Sequence, residues 1–238
     1  MKPTRFHSWN VSPEEASAIQ LNLRDKVEVQ PLPNDIELVC GTSISHDPNT
    51  NTVHVALVVS KFPAMELVEC HSLSEETTFP YVRGLLAFRE APSLMTLLKR
   101  IQYQPDVILF HSHGLAHPRK FGLACHLGVL FNIPSIGVAD RVLVGYHDNL
   151  SIEKGCYVPL KDNKQELGLV LRAKEDENPI FISVGHKSDL FTAMELTMKC
   201  ITHYRHPEPI RQAQLAVKAQ RDGENIDLEH GNNQASIF

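Results

Sequence analysis

The chain contains 238 residues, of which 42% are apolar and 21% are charged, and its formal net charge is −5. This composition is typical of a globular protein and excludes a disordered or fibrous chain, while the length corresponds to one large or two small domains. No apolar run reaches the roughly 18 residues of a membrane-spanning helix, and the first ten residues lack the apolar centre of a secretory leader.

Five cysteines lie far apart, and no two of them form a Cys-x-x-Cys pair. The odd number and wide spacing argue against a disulfide scaffold or a zinc knuckle. We therefore expect reduced thiols in a cytoplasmic protein that does not contact membranes. The cysteines are Cys40, Cys70, Cys125, Cys156 and Cys200.

The N-terminal third of the chain predicts one helix and three strands. Ser12 and Glu15 form a capping box with Pro13 at the first helical position, which predicts a helix within residues 11–27. Three apolar segments separated by turn residues then predict an antiparallel meander. These segments are 36–45, 52–60 and 67–73.

The remainder of the chain alternates between helical and strand-like segments. Leucines at helical spacing cover 85–101, where Pro92 predicts a break or restart. Short apolar runs at 106–110 and 135–138 predict buried strands, with a helix at 121–131 between them. The later predicted elements are a hairpin of 167–172 and 179–184, a helix capped by Ser188, and a shorter helix after Pro209.

This order of elements predicts an α/β fold, in which helices flank a mixed sheet in a single domain. We find no internal repeat and no linker, so the domain is expected to span residues 1–221. Residues 222–238 are polar, which predicts a frayed tail.

Thirteen histidines are present, and four of them fall between positions 111 and 126. If the strand before His111 continued, His111 and His113 would share a face, which suits a transition metal. Gly114 indicates that the strand has ended, so His111 could equally be a hydrogen-bonded residue at the rim of the sheet. The sequence leaves two roles for Glu90 as well: a metal ligand, or a carboxylate that interacts favourably with a helix dipole.

Five further stretches carry motifs that occur together. They are FPYVRGLLAFRE (79–90), GLAHPRKFGLA (114–124), IPSIGVA (133–139), Gly185-His186, and Tyr204-Arg205 with PEP (207–209). In these motifs the chain resembles the endonuclease V family over about residues 12–218. The resemblance implies a ribonuclease-H-like mixed sheet, in agreement with the α/β pattern.

The resemblance also implies a function and a cofactor. Members of the family recognise deaminated bases, chiefly hypoxanthine in inosine nucleotides, and hydrolyse the second phosphodiester bond 3′ to the lesion. They use Mg²⁺ or Mn²⁺, which generates hydroxide and stabilises the leaving oxygen. The expected partner is DNA or RNA that contains deaminated bases, bound by a monomer.

The family's wedge and base pocket carry over to this sequence. The wedge opens the strand, and the altered base rotates into a pocket that the backbone reads. Arg83 occupies the position of the family's second wedge proline, while glycine in the pocket lets the backbone approach the base closely. The wedge positions are Pro80, Tyr81, Val82 and Arg83, and the pocket positions are Gly84, Leu86, Gly114 and His117.

The family's catalytic centre is substituted here. Glu90 and His186 match it, but Ser43 and His111 replace two metal-binding aspartates and Asp140 replaces a lysine. Glu90 and His111 are therefore the remaining candidate metal ligands. We expect weakened binding of a hard cation such as Mg²⁺, and a negative charge where the lysine would attract phosphate.

Three hypotheses follow, besides a protein-binding scaffold that has kept only the fold. The protein could be a nuclease with an unusual centre. It could instead be a catalytically inactive binder of inosine-containing or distorted nucleic acid. In the third, His111, Glu90 and Asp140, with His113 or His186, form a rebuilt site that prefers manganese, zinc or iron.

Overall fold

Eight strands and five α-helices form the part of the chain that the computed structural model describes, residues 1–47 and 49–223. The strands are β1 (Leu38–Asp47), β2 (Thr52–Lys61), β3 (Glu66–Glu76), β4 (Val107–Phe110), β5 (Ser135–Ala139), β6 (Tyr157–Asp162), β7 (Gln165–Leu171) and β8 (Ile180–His186). The helices are α1 (Pro13–Leu23), α2 (Leu86–Arg100), α3 (Leu123–Phe131), α4 (Leu190–Lys199) and α5 (Glu208–Arg221).

All eight strands belong to one sheet with the order β3-β2-β1-β4-β5-β8-β7-β6. β1, β2 and β3 form the predicted antiparallel meander, whereas β4 runs parallel to both β1 and β5. The prediction of a mixed α/β sheet in a single domain is confirmed. Within residues 1–47 and 49–223, no helix has the length and apolar character that crossing a membrane requires.

The capping box predicted for α1 is present in both directions. The backbone N–H of Ser12 donates to Glu15 Oε2 at 2.7 Å, and the N–H of Glu15 donates to Ser12 Oγ at 3.3 Å. These bonds satisfy amide groups that have no partner within the first turn of the helix. The α-helix ends at Leu23, followed by one 3₁₀ turn (Arg24–Lys26).

Several sequence predictions differ from the structure in detail. α2 continues through Pro92 without a break, since its buried face packs against the sheet and offsets the lost hydrogen bond. Asp189, not Ser188, caps α4, because Ser188 Oγ donates instead to the carbonyl of Ser135. α5 is longer than α4, not shorter, because Ile210 and Val217 are the only large aliphatic side chains among its buried residues, which gives a weak sequence signal. From residue 224 onward, the tail prediction lies outside the described residues.

Different helices cover the two faces of the sheet, and this arrangement positions the candidate site. α2 and α3 pack on one face, where Phe110 joins their core, while α4 and α5 pack on the other, where Leu109 joins theirs. Because side chains alternate along a strand, consecutive residues beyond a strand end point to opposite sides of the sheet. β1, β4 and β5 therefore deliver side chains to both sides at their carboxyl ends.

Candidate functional site

A pocket of about 390 Å³ lies past the carboxyl ends of β4 and β5, on the side of the sheet that α2 covers. Ser112 and Arg141, each two residues beyond a strand, form part of its wall. Residues that the sequence assigned to the wedge and pocket line it as well. These residues are Tyr81, Arg83, Gly84, Leu86 and His117.

Gly84 has a backbone conformation that favours glycine, with φ of +81°. Its carbonyl oxygen accepts two hydrogen bonds, from His117 Nε2 at 2.9 Å and from Arg119 Nη2 at 2.5 Å. A Cβ at this position would lie 3.0 Å from that guanidinium. The rim of the pocket is therefore fixed by one turn and two side chains.

His117 is neutral at physiological pH. Burial is the largest cause that lowers its pKa, the nearby charge of Arg119 lowers it further, and the resulting pKa is about 4. Nε2 donates to Gly84, and Nδ1 accepts from the backbone N–H of Arg119 at 3.2 Å. A single tautomer satisfies both bonds, so the ring is held in one orientation.

The wedge segment combines an exposed tip with a buried anchor. Tyr81 is 69% exposed and Pro80 is exposed beside it, whereas Val82 packs against the cluster that holds Phe79. Arg89, which is buried, donates to the carbonyl oxygen of Phe79 at 2.7 Å. The side chain of Tyr81 is thereby exposed to solvent on a segment whose buried residues hold it in place.

Gly114 has a packing role that the sequence did not predict. A Cβ here would lie 1.9 Å from the carbonyl oxygen of Val184, in the neighbouring strand β8. The amide of Gly114 donates to Ser183 Oγ at 2.8 Å, and Leu115 N–H donates to Val184. This glycine therefore lets the loop after β4 lie against β8.

Glu90 pairs with a histidine from β1. Glu90 Oε1 lies 2.8 Å from His46 Nε2, and Arg89 Nε donates to His46 Nδ1 at 3.3 Å. Because Nδ1 accepts from Arg89, Nε2 is the ring atom that donates to the carboxylate. The sequence did not single out His46, which stands on the same face of β1 as α2.

A second cluster joins His111, Asp140 and His206 on the opposite side of the sheet ends. Asp140 Oδ2 lies 2.9 Å from His111 Nε2, and Oδ1 lies 2.7 Å from His206 Nε2. Arg205 also donates to Oδ1, at 2.6 Å. Gln214 of α5 completes the cluster, with Nε2 at 3.5 Å from His111 Nδ1.

Asp140 is fully ionised in this cluster. Burial acts to raise its pKa, but the hydrogen bonds and charges of His111 and His206 outweigh burial and hold the pKa far below its usual range. Its negative charge is shared among two imidazoles and the guanidinium of Arg205. The negative charge that the sequence places at this position is therefore paired with neighbouring side chains.

The structure brings together only some of the residues that occupy the family's catalytic positions. Ser43 is buried and points toward α5, because Gly41, two residues earlier on β1, faces Pro209 and Ile210 of that helix. Ser43 and His111 follow Thr42 and Phe110, which are register partners on parallel strands. Ser43, His111 and Asp140 thus share one side of the strand ends.

His186 and His113 do not join this group. His186 pairs with Ser135 at the start of β5, whereas Asp140 follows the end of β5. The five residue steps from Ser135 to Asp140 span roughly 16 Å. His186 Nδ1 accepts from the backbone of Glu28 at 3.2 Å. His113 Nε2 donates to the carbonyl of Arg141 at 2.9 Å. The sequence offered His113 or His186 as an addition to the rebuilt site, because it gives neither the end of the sheet at which His186 lies nor the direction of the His113 side chain.

The residues at the family's ligand positions do not fit Mg²⁺, which prefers several oxygen ligands, including carboxylates. Glu90 is the one carboxylate there, and its Oε1 is engaged by His46. Ser43 offers a neutral hydroxyl and His111 a nitrogen. Within residues 1–47 and 49–223, the only three side chains of metal-binding type that could share one ion are His111, Asp140 and His206.

His206 and Gln214 were missed at the sequence level. His206 lies between the two parts of the Tyr204-Arg205 and PEP (207–209) motif, and the histidine excess of the chain was an available signal. Nothing local distinguishes Gln214 from the other glutamines of α5.

Comparison with known proteins agrees with this architecture. The model of the family described as Endonuclease V matches residues 21–215. Endonuclease V of Rippkaea orientalis is 42% identical over 228 residues, covering 96% of this chain and 99% of the relative. The crystal structure of endonuclease V from Streptomyces avermitilis superposes with a TM-score of 0.85 at 34% identity, covering 91% of this chain and 96% of the other.

A third relative was solved with nucleic acid. Ciona intestinalis endonuclease V, in complex with a 24mer DNA containing an inosine followed by a ribo-adenosine, has a TM-score of 0.77 and 27% identity. The match covers 88% of this chain and 98% of that one. On the family match and the 42% identity to the Rippkaea relative, this chain belongs to the endonuclease V family.

Proposed function

We propose that the protein recognises a deaminated base, chiefly hypoxanthine, in DNA or RNA, and that the base enters the pocket bordered by Gly84 and His117. The pocket carries this proposal. Its volume of about 390 Å³ is in the range of small-ligand sites, which is about 300–1,000 Å³. Leu86 and Leu123 offer apolar surface to a base, and Ser112 offers a polar edge.

The wedge supports the same function. Tyr81 is exposed at the mouth of the pocket and can stack on a base after a neighbouring nucleotide has rotated out. Arg83 donates to the carbonyl of Leu143 at 2.9 Å and links the wedge to the far wall. The bound inosine in the Ciona intestinalis relative agrees with this use of the fold.

Mg²⁺-dependent cleavage does not form part of this proposal, because the donor set at the family positions does not suit that ion. Mn²⁺ shares the preference of Mg²⁺ for carboxylate and carbonyl oxygens, so the same donor set does not suit it either.

We place the protein in the cytoplasm as a monomer. The free thiols of Cys40, Cys125, Cys156 and Cys200 support a reducing compartment.

Binding can be tested without catalysis. Labelled single strands of DNA and RNA, with one inosine or with guanosine at the same position, would be titrated by fluorescence anisotropy in EDTA. We expect the inosine strand to bind at least about tenfold more tightly. Tyr81→Ala should remove about tenfold of affinity, since base stacking on an aromatic ring contributes about 1–3 kcal/mol.

Tyr157→Ala is the matched control, because Tyr157 is also half-exposed but lies on β6 at the far edge of the sheet. Its affinity should equal that of the wild type. Equal binding of the inosine and guanosine strands would refute the proposal, as would equal losses in the two tyrosine variants.

A further inference from the structure

Three metal-binding atoms converge at the carboxyl ends of β4 and β5. One ring nitrogen of His111, one ring nitrogen of His206 and one carboxylate oxygen of Asp140 all lie within 4.8 Å of one another. In a tetrahedral zinc site, bond lengths of about 2.0–2.2 Å place neighbouring ligand atoms about 3.4 Å apart. Small side-chain rotations therefore suffice to place the three atoms around one ion.

The donor set selects the kind of metal. Two imidazole nitrogens with one carboxylate oxygen suit Zn²⁺ or Fe²⁺ and are a poor match for Mg²⁺. Each side chain is partly exposed, by 15–34%, so an ion can reach the cluster from solvent. His111 and Asp140 directly follow buried central strands, which hold two of the three ligands in place.

The surroundings can orient the histidines for metal binding. A ring that binds metal through Nε2 must carry its proton on Nδ1 and donate it to a neighbour. Gln214 lies 3.5 Å from His111 Nδ1, and the other orientation of its amide would present an oxygen to accept that proton. Arg205 supports the carboxylate at Oδ1.

We propose that His111, Asp140 and His206 bind one divalent transition-metal ion of the Zn²⁺ class, with at least one coordination position left open. The double positive charge of the ion would exceed the single negative charge of Asp140. The loaded cluster would then be positive at the position where the family resemblance places a lysine. This inference goes beyond the proposed function, because the metal is bound and measured without nucleic acid.

The first test is calorimetry on protein stripped with EDTA and titrated with Zn²⁺ or Mg²⁺. We expect one Zn²⁺ per chain at micromolar or lower Kd, and no heat from Mg²⁺ at the same concentrations. His206→Gln and Asp140→Asn should each weaken Zn²⁺ binding by at least about tenfold. His203→Gln is the control, since His203 is exposed in the same loop, and its affinity should be unchanged.

A second measurement separates a metal site from an ion-pair network. Without metal, His111 and His206 donate from Nε2 to Asp140, so both rings carry the proton on Nε2. Zn²⁺ must move it to Nδ1, which long-range ¹H–¹⁵N spectra of the folded protein report directly. Unchanged tautomers at saturating Zn²⁺, or equal Zn²⁺ affinity in the wild type and His206→Gln, would overturn the proposal.

Discussion

His111 Nε2 lies 2.9 Å from Asp140 Oδ2 and thereby ties the end of β4 to the end of β5. In the family these positions hold an aspartate and a lysine, according to the resemblance in the sequence. The acidic residue of the pair therefore follows β5 in this chain instead of β4, but the two side chains still complement each other. Because His206 and Arg205 bind the same carboxylate, the substitutions form one connected network and not isolated losses.

Asp140→Asn should destabilise the fold by about 1–2 kcal/mol. The carboxylate accepts charge-assisted hydrogen bonds, but its side chain is 34% exposed, so solvent screening reduces their contribution. Since folding lowers the pKa of Asp140, this contribution is present above about pH 4 and is lost below it. Urea unfolding at pH 7 measures the difference, and the exposed Asp148→Asn provides the control. An unchanged free energy of unfolding for Asp140→Asn would contradict the prediction.

Stability should fall as the pH is lowered from 7.5 to 5. His117 has a pKa of about 4 in the folded protein, against about 6.5 in the unfolded chain, so the unfolded chain takes up the proton first. The contribution of neutral His117 to the free energy of unfolding is therefore complete above pH 6.5 and is lost progressively toward pH 4. The loss amounts to about 2 kcal/mol at pH 5. Urea titrations at the two pH values measure the loss, which should be smaller in His117→Gln. The same pH dependence in both proteins would show that His117 is not responsible.

Gly114→Ala should destabilise the protein by about 3 kcal/mol or more. The new methyl group would overlap the carbonyl of Val184, which is backbone and cannot rotate away. Gly155→Ala tests backbone strain alone, because Gly155 has φ of +90° with no atom within 4 Å of an added Cβ. That variant should lose only about 1–2 kcal/mol. Equal losses in chemical denaturation would exclude a specific packing role for Gly114.

Arg89→Met should loosen the wedge. It removes the donors to Phe79, His46 and Asn51 and leaves a buried carbonyl unsatisfied, at a cost of about 2–3 kcal/mol. Amide hydrogen exchange should accelerate in residues 78–84 more than in β4. Arg100→Met, on the exposed end of α2, should leave both the stability and the exchange unchanged. Undisturbed exchange in 78–84 would show that Arg89 does not anchor the wedge.

Sequence signals that act over a few residues were sufficient for much of the fold. The capping box of Ser12 and Glu15 predicted α1. Apolar segments separated by turn residues predicted the meander, and short continuous apolar runs predicted the buried strands β4 and β5. β6 was missed because Pro159 and the charged residues at its end are typical of an edge strand and interrupt the apolar pattern.

Which residues lie together in the candidate site was decided by the tertiary structure. The sequence identified His111 and Asp140 as altered positions, but it grouped them with His186, which the strand order places at the other end of β5. It did not predict His206 or the pairing of Glu90 with His46. Capping and alternation are local, whereas the distance between two side chains depends on sheet order, strand direction and register, which long-range packing decides.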